Sequence, residues 1–439
     1  MLSVILNLRE SETSEMKYSS ILLVRAIPVL SALMLSLALD CRWAVGDTFK
    51  AAIELVKSHD SILVKESEAE ALREKTREAD AFSDPVFSTG VTGYTDPESL
   101  KSQPEASSKT PSSVRAVEVG ISQKLSLMFN YSKGRKKMES LTAAKEWERA
   151  FQERVMVRSF WELLIEQSRA VAESSIISDG INWLMRVASS AKSQYKSGSR
   201  SQADVLALKV RLAEMKSMAE TKRHEINDIK AGIKYLTGGD AEEVSLDDVP
   251  WQILKFSSRR GQIDDPRANA LSSIVSAKSY DSELADAAMV PDLTIGLSYT
   301  KMLEEIPGGD LISLKFSMPI PVFSKTRARS GAKGHTSEAA SSQLDAYLVR
   351  RRSLLSQFKV RDYSLRKELK ALDNEILVFA TNSRDITAKS YASGKASFAE
   401  LLHAEMTLLD QNLKKKRINA DRLKNILDNM FIRGERIGE

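Results

Sequence analysis

The side chains with the widest chemical repertoire are few and far apart. Four histidines (His59, His224, His335, His403) and one cysteine, Cys41, are all the imidazole and thiol groups in the chain. None stands at His-x-x-x-His spacing or beside a Cys partner, so tetrahedral metal ligation finds no framework. Gly308-Gly309 sits in a polar, proline-led loop and is not a phosphate cradle. The many Asp and Glu recur at helical spacing among Lys and Arg, as a solvated helix face does. No catalytic constellation, metal site or cofactor is expected. The sequence offers instead a pair of matching stretches. Tyr195-Lys-Ser197-Gly198-Ser-Arg-Ser201-Gln-Ala203-Asp204-Val205-Leu206 aligns with Tyr391-Ala-Ser393-Gly394-Lys-Ala-Ser397-Phe-Ala399-Glu400-Leu401-Leu402 at a constant offset of 196, with six identities.

Composition narrows the elements that could carry these stretches. A chain of 439 residues, 42% hydrophobic and 28% charged, suits two or three folded domains. Lys+Arg of 64 against Asp+Glu of 59 gives +5, too small an excess for a nucleic-acid footprint. One segment alone is apolar enough to enter a bilayer as a helix. Ala26 to Leu39 is a 14-residue apolar run behind Lys17 and Arg25, with the dimensions of a signal-peptide core. A small-x-small site at Ala44-Val45-Gly46 makes residues 1–46 the exported segment. Met16 is an alternative start to Met1. Cys41 comes after Ala38-Leu39-Asp40, a poor lipidation signal, and cleavage after Gly46 would leave no thiol at all.

Proline and glycine divide the rest of the chain. No proline falls between residues 112 and 249 or after residue 321, and proline breaks helix interiors. Long helices are therefore expected over 135–197 and 325–393. Each ends at a glycine, and further helices are expected over 201–237 and 396–431. At about 1.5 Å per residue the longer pair would be rods of roughly 95 to 100 Å. An elongated molecule is expected. Four short segments keep a different period, apolar and polar residues alternating as in a membrane β-strand. They cover 85–95, 115–129, 291–301 and 311–322, with Val117, Val119, Ile121, Leu125, Leu127 and Phe129 on one face of the second. Polar, proline-containing loops join them in pairs, at 96–113 and 304–310. The order of helix, strand, strand, long helix, glycine turn and helix then occurs twice, over 47–240 and 264–439, with 241–263 as a linker. Such self-similarity is a fold signal of its own.

Four membrane strands cannot close a barrel, and an open edge in hydrocarbon leaves backbone groups unpaired. Two copies would give eight strands and three would give twelve. The polar inward residues favour the wider lumen. Here the chain resembles the TolC family of outer-membrane efflux ducts over nearly the whole mature length. The duplicated Tyr-x-x-Gly-x-x-Ser turns carry the resemblance, with the prolines Pro85 and Pro291 that lead two strands. Met318-Pro319-Ile320-Pro321-Val322-Phe323 at the last strand exit and Leu236-Thr237-Gly238-Gly239 at the end of the first repeat add to it.

The resemblance implies a mainly α fold with a membrane β part, an internally duplicated α/β barrel. Three chains would share a twelve-stranded transmembrane barrel above a long periplasmic helical barrel. The implied location is the outer membrane, in contact with lipid. The implied partners are two further copies, a periplasmic adaptor and an inner-membrane pump, with no nucleic acid. The turns Tyr195, Ser197, Gly198 and Ser201, and Tyr391, Ser393, Gly394 and Ser397, become the tip where an adaptor docks. By the same carry-over Asp204, Glu400 and His403 line the aperture, where rings of charge would gate passage. His403 replaces an acidic residue often found there and would make the gate pH-sensitive. The Ile-Pro-Val-Phe exit favours the heavy-metal branch of the family. The rival readings are a periplasmic adaptor, which needs a single hairpin between β-rich segments, and a structural coiled coil, which needs sustained heptads.

Overall fold

The computed structural model describes residues 48–80, 84–95, 113–125, 129–198, 201–239, 244–255, 264–288, 292–302, 310–318 and 324–437. Residues 1–46, expected to be an exported segment and including Cys41, lie outside the described residues, as do residues 96–112 and 303–309 between the strands, Pro291 and the exit residues Pro319 to Phe323. The order along the chain is α1 (48–57), α2 (Asp60–Asp80), β1 (Val86–Thr95), β2 (Ser113–Leu125), α3 (Phe129–Lys196) and α4 (Gln202–Leu236). After a 3-10 turn at Trp251–Ile253 come α5 (Pro266–Ala287), β3 (Leu293–Met302), β4 (Leu311–Ser317), α6 (Lys325–Ala371), α7 (Leu377–Ala392) and α8 (Phe398–Arg433). Among the described residues no helix is long and apolar enough to cross a membrane.

The structure corrects two expectations. Alternation predicts a second strand as far as residue 129, but β2 ends at Leu125 and Phe129 opens α3. Leu125, Leu127 and Phe129 alternate, yet so short an apolar run does not separate a strand period from a helical one. The second long helix is also not uniform. A π-helical turn at Leu372–Ile376 divides α6 from α7. Such a turn takes up one extra residue, and its effect is on phase. Val360, Tyr363, Phe379 and Ile386 are all exposed. With one residue absorbed, Val360 and Phe379 stand about five turns apart at 3.6 residues per turn, hence on one side of the rod. The π turn keeps an apolar stripe straight.

The chain forms two compact units, each drawn from several segments and from both halves of the sequence. One comprises residues 60–152 and 262–356. Its sheet is fully antiparallel in the order β1-β2-β3-β4. Register aligns Ser88, Gly120, Ser298 and Ser313 across all four strands, and Phe87, Ile121, Leu297 and Leu314 one step along. One face is thus small and polar while the other is apolar. That apolar face is bare: Phe87 is 67% exposed, Ile312 71% and Phe316 64%. Ion pairs hold the helices of this unit. Asp281 on α5 takes Lys137 of α3 at 2.6 Å and Lys333 of α6 at 2.7 Å. Asp265 caps α5 through the amides of Arg267 and Ala268, and also accepts from Tyr347 of α6 at 2.9 Å.

The other unit comprises residues up to 59, 153–261 and 357–439. Near the start of its part of α3, Phe49, Trp161 and Trp251 stack edge to face, with centroids 5.2 and 6.1 Å apart. Further along α3 lies a charged node. Glu173 is fully buried and accepts from Arg169 at 3.0 Å, Lys222 of α4 at 2.6 Å and Arg417 of α8 at 3.0 Å. Burial pushes its carboxyl up, but the three cations outweigh that and hold it below the usual carboxylate range. A depressed acid stabilises the fold above its unfolded pKa and loses that contribution as pH falls. Glu173→Gln should therefore cost about 3 kcal/mol at pH 7, the low end for a broken buried pair because Arg417 reaches water. Thermal unfolding in detergent checks this. The gap between variant and wild type should close as the pH drops below about 4.5, the ordinary glutamate value. An equally stable variant at pH 7 would refute it.

Candidate functional site

Both matching stretches fall in the second unit, and each is a helix end followed by a helix start. At the first, α3 stops at Lys196 and Gly198 takes φ 76°; at the second, α7 stops at Ala392 and Gly394 takes φ 74°. Positive φ is where glycine is needed, because a Cβ there meets its own backbone. Gly198 N donates to Tyr195 O and Gly394 N to Tyr391 O, both at 3.0 Å, while Lys395 N reaches back to Ser390 O at 2.8 Å. The last carbonyls of each helix are satisfied in the way a left-handed cap satisfies them. The hydroxyls of Ser197 and Ser393 donate to Gln194 O and Ser390 O. The two helix ends are closed by equivalent bonds.

The helix starts differ in detail. Ser201 caps α4 by accepting from Ala203 N at 3.1 Å. Ser397 caps α8 with a full capping box, in which Glu400 N donates to Ser397 Oγ at 3.3 Å and Ser397 N donates to Glu400 Oε2 at 2.8 Å. The Glu400 carboxylate is thus a cap partner as well as an exposed anion at a helix N-terminus, where the helix dipole favours negative charge. Asp204 occupies the matching position in α4, half-buried. His403 lies one turn further along, on the exposed side of α8. Among the described residues its ring has no hydrogen-bonding partner, while its carbonyl accepts from Thr407 Oγ1 at 2.9 Å. Tyr195 is 44% exposed, whereas Tyr391 packs edge-on against the buried ring of Phe398 at 6.2 Å.

One apolar core runs behind both turns. It joins Ile177, Leu184 and Ala191 of α3, Leu208 and Met215 of α4, and Phe398, Leu409 and Leu413 of α8, with Tyr391 of α7 against it. Gly180 of α3 lies at its closest point. A Cβ there would stand 2.7 Å from both Met215 Cε and Leu409 Cδ1. The two turns are therefore anchored to a common, closely packed base.

A charged cluster in the same unit has no signature in the sequence. Glu405 of α8 is mostly buried, with Arg384 of α7 at 3.8 Å, and Arg384 also lies 3.0 Å from Asp385. Glu405 and Arg384 are separated too far for a strong bond. Burial pushes the Glu405 carboxyl up, Arg384 and Arg186 pull it down, Asp385 pushes it up again, and the net shift is upward. No local spacing announces this, because Arg384 and Glu405 belong to different helices. An acid raised in the fold is destabilising while ionised, and the penalty disappears once pH falls below its unfolded value. Glu405→Gln should therefore raise the unfolding temperature at pH 7. The gain should vanish near the ordinary glutamate value of 4.5. A loss of stability at pH 7 would show that Arg384 binds the carboxylate after all.

No protein-family model matches the sequence, and no curated protein matches it. Solved structures do. The structure is similar to CusC, a protein that undergoes folding and transmembrane channel formation, with 14% identity, TM-score 0.71, and 89% of this chain and 93% of that one covered. It is similar to the outer-membrane channel OprN, with 15% identity, TM-score 0.73 and coverage of 90% and 92%. It is similar to the outer-membrane protein VceC of Vibrio cholerae, with 15% identity, TM-score 0.70 and coverage of 89% and 96%. Identities this low establish a shared fold, which extends over about nine-tenths of the chain.

Proposed function

We propose that a chain with the fold of these outer-membrane channels is itself an outer-membrane duct of TolC type, in which three copies share one barrel. The observation that carries this reading is the four-stranded sheet with one bare apolar face, one polar face and two edges without a further strand among the described residues. Lipid suits the apolar face, water the polar one, and strands of other copies the edges. Three copies give twelve strands, enough to leave a lumen. The straight apolar stripe on α6 and α7 supports helix contacts between copies. Solute would cross by passive diffusion, as through any water-filled pore.

The two glycine turns are the docking points for a periplasmic adaptor in this reading. They present small hydroxyl side chains and backbone groups on a rigid apolar base. Asp204, Glu400 and His403 would line the aperture, where threefold symmetry turns each into a ring. The matching turns and the matching helix–strand order support descent from a duplicated half over 47–240 and 264–439. An inner-membrane pump would select the cargo, and heavy-metal cations are its narrower form, supported by the CusC likeness. A channel of this kind performs no chemical step.

The native mass of the chain, extracted from isolated outer membranes in mild detergent with detergent subtracted, tests the reading. Three chains in the outer-membrane fraction is the expected result. A water-soluble monomer or dimer would overturn it, leaving the sheet half-buried against some other surface.

A further inference from the structure

We propose that the polar face of the sheet is a charge-balanced wall, and that Glu118 and Lys315 set its indifference to the sign of a passing ion. This rests on the duct reading and deepens it, naming what kind of solute the barrel admits.

Register fixes the arrangement. Glu118 on β2 stands opposite Thr300, and Lys315 on β4 stands opposite Gly296. Lys315 Nζ nonetheless bonds Glu118 Oε1, so the pair reaches diagonally across β3. The row it crosses is made of the smallest side chains available. At Gly120 a Cβ would come within 3.0 Å of Ser88 Oγ and 3.1 Å of Ser298 Cβ, so nothing larger fits there without displacing a neighbour. Gly296, directly opposite Lys315, leaves the lysine stem a low path. Together the pair and its hydroxyl neighbours Ser122, Thr294 and Ser317 line a cavity of about 240 Å³.

Charge balance decides how the wall acts on ions. Within the strands, the described polar-face side chains that carry charge are Glu118, Lys315 and Lys124. Lys124 is paired with Asp292 at 2.8 Å. Each of these charges is thus answered by its opposite, and hydroxyls fill much of the remaining face. Unpaired carboxylates would concentrate cations in a lumen, and unpaired lysines anions. A bonded pair does neither, since its field falls off as a dipole and is screened within about 10 Å at 0.1 M salt. The barrel therefore admits cations, anions and neutral solutes alike, and it stays so only while both partners are present.

The experiment uses the purified full chain in planar lipid bilayers under a KCl gradient, reading the K⁺ to Cl⁻ permeability ratio. Glu118→Gln should shift it toward Cl⁻, and Lys315→Met toward K⁺, each by about sevenfold, because one unit charge some 7 Å away in water changes K⁺ and Cl⁻ by about threefold in opposite senses. The double variant should return to the wild-type ratio. Lys315→Arg should also keep that ratio, because it retains the charge. Single variants that conduct with unchanged selectivity would overturn this inference and leave the duct standing. A Lys315→Arg variant that shifts like Lys315→Met would overturn it too, by showing shape to be responsible. Wild-type protein that gives no conductance steps would overturn the duct reading, and this inference with it.

Discussion

The backbone hydrogen bonds of four short strands constrain this protein more than any other set of interactions. β2 and β3 are paired on both sides, whereas β1 and β4 each turn one row of amide and carbonyl groups away from the sheet. In water that row is solvated at small cost. In hydrocarbon every such group costs several kcal/mol, so an apolar face and an open edge cannot both be left as they are. Exposed rings such as Phe87 and Phe316 make the apolar face unsuited to water. In the duct proposed above, these demands of the sheet are what further copies of the chain would meet.

The helices answer a different problem, which is how to hold long rods in place with thin cores. A bundle of long rods buries less side chain per residue than a globule does, and polar contacts take up part of the task. Glu173, Asp281 and Asp265 each gather groups from two or three helices. Each is a carboxylate in a low-exposure position whose partners are cations or donors, the arrangement in which burial of charge is tolerated. Such nodes specify which helix lies beside which, and at what height. Apolar contacts alone would leave the rods freer to slip.

Much of this is legible in the residues, for identifiable reasons. The alternation in β3 and β4 is clear because each face of a strand meets one kind of surroundings along its length. The glycine turns are legible because positive φ leaves so few residue choices, and Gly198 and Gly394 fill them. The capping box is also written in sequence, as Ser397 with Glu400 three residues later, although the charge of Glu400 draws attention away from its bond to Ser397. Phase and distance are what the residues conceal. The extra residue at Leu372–Ile376 leaves no compositional trace, since a π turn uses ordinary helix formers. Lys315 and Glu118 are 197 positions apart and not even in facing register, so only the sheet itself brings them together. The Glu173 node is hidden for the same reason, its partners lying on three helices.

Gly180 carries a mechanical consequence. With Met215 and Leu409 pressed into the space where its side chain would be, the three helices interlock at that height as a notch and two teeth. Sliding α4 or α8 along α3 by even one residue would drive a tooth into the flank of the notch. Rotation about the notch meets no such obstacle. Any movement that separates the two glycine turns must then be a swing about this point and not a telescoping of one helix past another. The base near Gly180 is the fulcrum, and the stretch from there to the turns is the arm. Displacement at the turns would grow with arm length while the packing at the fulcrum stays nearly unchanged.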